Sequence, residues 1–167
     1  MSFTERYIKM CEKAEEIQEY KRESRWQDGD WIYDYYLEED MWENERKYII
    51  LVWNGLKCYT GSHNWHENWE EPSPNAIWLP TQEQLQEMAY ESGHPGYLLD
   101  KFVWWVIDYE KYRYSGEISY PSLEDFVCRD FSSMNELWLA FVMWKKYHKV
   151  WDDEKEEWTN REVFNEY

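Results

Sequence analysis

KYIILVWNGLKCYTG, residues 47–61, decides the fold class. Its first seven residues are aromatic and β-branched, as strands prefer. Asn54-Gly55 follows, and that dipeptide supplies the two positive-φ positions of a tight hairpin turn. LKCYTG then reads as the returning strand. The chain therefore contains antiparallel sheet, and the remaining elements are placed around this hairpin.

Upstream, WIYDYYL (31–37) is a second run of the same character. QDGD (27–30) is a turn before it, and EEDMWENER (38–46) forms a long acidic connection to residue 47. Further upstream, Ser2 and Glu5 have capping-box spacing. Phe3, Tyr7, Met10, Ala14 and Ile17 recur at three- and four-residue steps, which predicts one helix over about 3–22 with a core-facing stripe.

Downstream, AIWL (76–79) reads as a short fourth strand or a strand-like entry into a helix. Thr81 and Gln84 cap a helix that ends near Gly93. Residues 97–113 predict a helix whose middle, FVWWVI, is apolar nearly all round and is expected to be deeply buried. Lys101, Asp108 and Lys111 would form its polar edge, with Trp104 on the same stripe. Pro121 suits the first turn of a short helix through about Asp130. Ser133 and Glu136 cap the last long helix, LWLAFVMWKKYHKV. The acidic tail from about residue 152 reads as an added edge strand or a mobile end. The expected class is α+β in a single domain, 1–167: an N-terminal helix, a small mostly antiparallel sheet and a helical C-terminal half.

Composition narrows the function classes. Thirteen Trp, fifteen Tyr and six Phe supply much of the apolar surface. So many indoles are hard to bury in one small domain, so some are expected to line a pocket or an interface. The net charge is −17, with acidic side chains in excess in both halves of the chain. That argues against direct binding to nucleic acid or to an anionic membrane, both of which need a basic face. Cys11, Cys58 and Cys128 are odd in number and widely spaced, which fits reduced thiols in a cytoplasmic protein. Neither a leader pattern nor an apolar run of membrane length is present in the sequence given.

The chemistry-bearing stretch is SHNWHENWEEPSPNAIWLP, 62–80. His63 and His66 are three residues apart, a spacing that brings two imidazoles to one metal on a helix. Gly61, Asn64, Asn68, Pro72 and Pro74 make the segment a loop instead, and no third ligand is near. Metal is therefore the outsider, and no cofactor is expected. Trp65 and Trp69 suit stacking on a planar ligand, plugging into a partner, or folding back over the core. No nucleophile elbow, phosphate-cradling glycine loop or Cys/His pairing is present, so a binding protein is favoured over an enzyme. An unrecognised hydrolase using His63 and His66 is the third reading. KKYHK (145–149) is the one local basic cluster, and charge at a helix C-terminus accounts for it.

IWLPTQEQLQEM (77–88) and ELWLAFVMWKKYHKVWD (136–152), together with YIKMCEKAEEIQ (7–18) and GDWIY (29–33), resemble a group of small acidic proteins encoded by phages and prophages of Gram-positive bacteria. The resemblance implies a viral setting and a counter-defence role in the cytoplasm of an infected host. It carries over no catalytic residues. The expected function is sequestration of a nucleotide-derived immune signal in an aromatic-lined pocket. Trp65, Trp69, Trp78, Lys101, Trp104 and Arg113 are the expected ligand contacts. The alternative is an acidic nucleic-acid mimic or inhibitor that blocks a host defence protein. Exposed aromatics would equally suit a homo-oligomer interface.

Overall fold

The computed structural model describes residues 3–35, 47–58, 71–91, 93–106 and 131–160. They form an α+β chain that divides into two compact units, Met1–Thr81 with Asp153–Trp158, and Gln82–Asp152 with Thr159–Tyr167. No helix among the described residues is long and apolar enough to cross a membrane.

In the first unit the expected N-terminal helix is two helices, α1 (Glu5–Lys13) and α2 (Glu15–Ser24). Thr4, not Ser2, is the N-cap of α1, its Oγ1 accepting from the Tyr7 N–H at 3.0 Å. Ser2 lies outside the described residues. The break falls at Ala14, whose backbone leaves helical geometry (φ −86°, ψ 73°). There the Gln18 side chain replaces the missing helical bond: its Nε2 donates to the Cys11 carbonyl at 3.0 Å. The stripe Phe3, Tyr7, Met10, Ala14 and Ile17 is nonetheless buried throughout, as its spacing predicted. Tyr7 also donates its hydroxyl to the Pro80 carbonyl at 2.5 Å.

Strands β1 (Trp31–Tyr35), β2 (Lys47–Trp53), β3 (Leu56–Cys58) and β4 (Ile77–Trp78) form one antiparallel sheet in the order β3-β2-β1-β4. The β2–β3 turn is the expected Asn54-Gly55 pair, with φ of 52° and 74°. Ile32 pairs with Ile50, and Val52 shares their buried face. Asp34 and Lys57 follow the same alternation onto that face, so two charges enter the interior. They meet there, Lys57 Nζ to Asp34 Oδ2 at 2.8 Å, and Ser73 donates to Asp34 through its N–H at 2.8 Å and its hydroxyl at 2.5 Å. A second buried pair, Lys21–Asp30 at 2.5 Å, joins α2 to the start of β1.

The last residues of this unit belong to the tail. Asp153 receives Arg6 through two parallel bonds of 2.9 and 2.8 Å, and Glu156 pairs with Lys9. Trp158 donates its indole N–H to the Met10 carbonyl at 2.9 Å.

The second unit carries α3 (Gln82–Ala89), α4 (Pro95–Val106) and α5 (Met134–Tyr147). β5 (Lys149–Asp152) and β6 (Glu157–Asn160) pair into a two-stranded sheet, so the tail through Asn160 is ordered as a hairpin. Helix α5 starts as predicted: Ser133 Oγ accepts from the Glu136 N–H at 3.2 Å. The buried Glu136 carboxylate reaches back to Ser132, accepting from its N–H and its hydroxyl at 2.9 Å each. Every residue from Glu136 to Met143 is buried. The expectation of a deeply buried FVWWVI is overturned. Of the described residues of α4 only Phe102 is buried, while Leu99, Val103 and Trp104 are exposed. Pro121 and the short helix expected after it lie outside the described residues.

Candidate ligand-binding face

Helix α4 is set by its N-terminal end and its inner face. At its start Pro95 has no N–H to satisfy. The next two donors are taken by one residue: His94 Nδ1 accepts from the Gly96 N–H at 3.0 Å, and the His94 carbonyl accepts from the Tyr97 N–H at 2.9 Å. Gly96 makes this arrangement fit, because a Cβ there would stand 3.0 Å from His94 Nδ1. On the inner face Phe102 stacks on Trp138, with ring centroids 4.0 Å apart and planes within 5°. Phe141 meets Phe102 edge-on at 5.2 Å, and Trp105 lies 5.4 Å from Phe141. Rotation of α4 about its axis would break all three contacts.

With that face fixed, Tyr97, Asp100, Lys101 and Trp104 occupy the opposite one, at steps of three, four and seven residues. All four are exposed, Tyr97 to 69% and Trp104 to 45%. The indole N–H of Trp104 donates to Asp100 Oδ1 at 3.1 Å, which ties the ring to the turn before it. His94, Gly96, Tyr97 and Asp100 line a shallow cleft of about 410 Å³, largely open to solvent, at the N-terminal end of this stripe. Nδ1 of His94 is an acceptor here, so its neutral ring carries the proton on Nε2 and offers a donor there.

Lys145 of α5 donates to the Ala89 carbonyl at 2.9 Å and pairs with Glu91 at 2.6 Å. The hydrogen bond and charge of Lys145, with Lys101 and Lys146 adding at longer range, hold the Glu91 carboxyl below the usual carboxylate range. Three lysines from two helices thus act on one point of a strongly acidic chain.

Of the sequence-predicted contacts, Lys101 and Trp104 fall together on this stripe. Trp78 belongs to the first unit and is only 2% exposed. Its indole N–H donates to Asp30 at 3.2 Å, Lys21 lies 4.9 Å from its ring, and Gln18 binds its backbone N–H and carbonyl. Trp65, Trp69 and Arg113 lie outside the described residues, as do His63 and His66. Among the described residues no group of three His, Cys, Asp or Glu is placed to hold a metal ion. Tyr97, His94 and Asp100 were not foreseen. The available signal was the seven-residue step from Tyr97 to Trp104 with Lys101 between them. Set against known proteins, the chain matches no family model, no curated protein and no solved structure.

Proposed function

We propose that this is a non-enzymatic binding protein that holds a planar, phosphate-bearing small molecule of nucleotide type on the exposed face of α4. One observation carries the reading: two exposed aromatic rings seven residues apart flank a lysine and a carboxylate, next to a shallow, open depression. Seven residues of helix span about 10 Å, enough for a base at one end and a phosphate near the middle. Stacking of a base on Tyr97 or Trp104 contributes about 1–3 kcal/mol. Asp100 and the His94 Nε2 proton are an acceptor and a donor for the polar edge of the ring. Lys101 meets the phosphate, and its local charge works against the −17 of the whole chain. The phage resemblance of residues 77–88 and 136–152 supplies the biological use, sequestration of an immune nucleotide signal.

The test is a challenge with linear and cyclic nucleotides, including adenine dinucleotides, read by tryptophan fluorescence and by mass spectrometry of what denatured protein releases. Retention of an intact compound by the wild type, and its loss in Trp104→Ala and Lys101→Ala with unfolding midpoints unchanged, is the expected outcome. Release of a converted compound would replace binding by catalysis, and no retention at all would overturn the reading. Leu99 and Val103, exposed at a four-residue step on the flank of the stripe, favour a second reading in which this face blocks a host defence protein. Salt-sensitive capture of one host protein, lost in Val103→Asp, would select it.

A further inference from the structure

Helix α4 turns four large apolar residues outward: Tyr97, Leu99, Val103 and Trp104 are exposed, and Phe102 alone of its described residues is buried. The stacking of Phe102 on Trp138 fixes the helix about its axis and so fixes which residues face out. Tyr97 and Trp104, seven residues apart, run along the centre of the outer stripe. Asp100 and Lys101 lie on its two opposite flanks, because successive helix residues are about 100° apart. Lys101 has no hydrogen bond or ion pair among the described residues. Asp100 gives one carboxylate oxygen, Oδ1, to the Trp104 indole at 3.1 Å. An exposed aromatic stripe thus carries one acid and one base on opposite edges.

That layout is complementary to itself in one arrangement. In two parallel helices related by a two-fold axis along their length, central residues meet their own equivalents and the flanks meet crosswise. Tyr97 then meets Tyr97 of the second copy, and Trp104 meets Trp104. Asp100 of each copy faces Lys101 of the other, once on each flank. An antiparallel pair would instead set Asp100 against Asp100 and Lys101 against Lys101. We propose that the exposed face of α4 is a docking surface for a second copy of this chain, paired in parallel, with the Tyr97 and Trp104 rings at its centre and two Asp100–Lys101 ion pairs at its edges. Charge complementarity selects this occupant, since the parallel copy matches both flanks at once. One helix face offers less than the roughly 800 Å² per partner of a standard interface, so the dimer is weak and concentration-dependent. The net charge of −17 on each copy acts in the same direction. The inference stands on the α4 geometry and does not need the nucleotide reading; where both hold, a nucleotide and the second copy compete for the same rings.

Sedimentation equilibrium of the full chain, from about 1 µM to about 1 mM, is the test. The wild type is expected to pass from monomer to dimer within that range. Trp104→Ala removes a ring from both sides of the axis and is expected to weaken association about tenfold or more. Lys101→Asp turns both cross-pairs into repulsions and is expected to weaken it about tenfold. The double variant Asp100→Lys, Lys101→Asp exchanges the flanks and is expected to recover most of that loss, which a misfolded single variant could not show. A monomer at every concentration would overturn the proposal, as would a dimer that Trp104→Ala leaves unchanged. Failure of the double variant to recover would overturn the parallel pairing. The nucleotide panel, added to the same samples, separates the two readings. A nucleotide that splits the dimer upholds both. A dimer with no nucleotide binding keeps the pairing and removes the nucleotide reading, and nucleotide binding to a permanent monomer does the reverse.

Discussion

In the first unit Lys21, Asp30, Asp34 and Lys57 are buried, and each charge has an opposite partner within 2.8 Å. The interior of the second unit around Phe102, Trp138 and Phe141 is made of rings, with centroids 4.0–5.6 Å apart. Polar atoms are treated in opposite ways. The buried indole of Trp78 gives its N–H to Asp30, whereas the buried indole of Trp138 has no acceptor among the described residues. The sheet side of the first unit is thus held by paired charges, while the rings around Phe102 meet by stacked area, the buried Glu136 at the start of α5 being the second unit's own directional contact. The first arrangement fixes geometry, because a buried charge out of register is costly. The second tolerates small shifts, because ring packing changes smoothly with offset.

The comparison breaks first at Asp30. Asp30→Ala leaves Lys21 buried without its counter-ion and also strands the Gln27 N–H and the Trp78 indole. The expected loss is about 3–5 kcal/mol in urea unfolding. The double variant Lys21→Met, Asp30→Leu should recover much of it. A single-variant loss below about 1 kcal/mol would mean that the pair is not sealed from water.

The same ring change in each unit sharpens the contrast. Trp→Phe removes equal volume at 78 and 138, but only the former removes a hydrogen bond. Trp78→Phe is therefore expected to cost about 1–3 kcal/mol more than Trp138→Phe. Equal costs would show that Trp138 has found an acceptor.

The smallest effect belongs to the exposed pair at Glu91. Its carboxyl sits below its ordinary range in the folded chain, so the pair adds stability above the unfolded carboxyl range. That stability is lost as pH falls through the lowered value. Thermal midpoints of wild type and Glu91→Gln should differ slightly at neutral pH and at low salt. The gap should close in acid and on adding salt.

Local signals carried much of the fold. The β-branched run 47–53, Asn54-Gly55 and the Ser133–Glu136 cap are short-range chemistry, and each appears where its residues place it. Misreadings came from contacts distant in sequence. The break at Ala14 depends on Gln18, which also binds Trp78, 60 residues away, and no periodicity records that. FVWWVI and LWLAFVM look alike as strings, yet one helix is half exposed and the other buried all round. Asp34 was legible, since alternation from Ile32 puts it on the buried face. At the site, spacing gave Lys101 and Trp104. The predicted polar edge ran on to Asp108 and Lys111, outside the described residues, whereas Tyr97 and His94 lie at the other end of the helix.

The bond from Trp158 to Met10 closes 148 residues of chain. During synthesis, at about 5–20 residues per second, helix α1 leaves the ribosome on the order of ten seconds before Asp153, Glu156 and Trp158 exist to cover it. The second unit, by contrast, has α3, α4 and α5 to hand as soon as residue 147 emerges. The two N-terminal helices are therefore among the first elements made, yet the indole that seals the Met10 carbonyl is among the last.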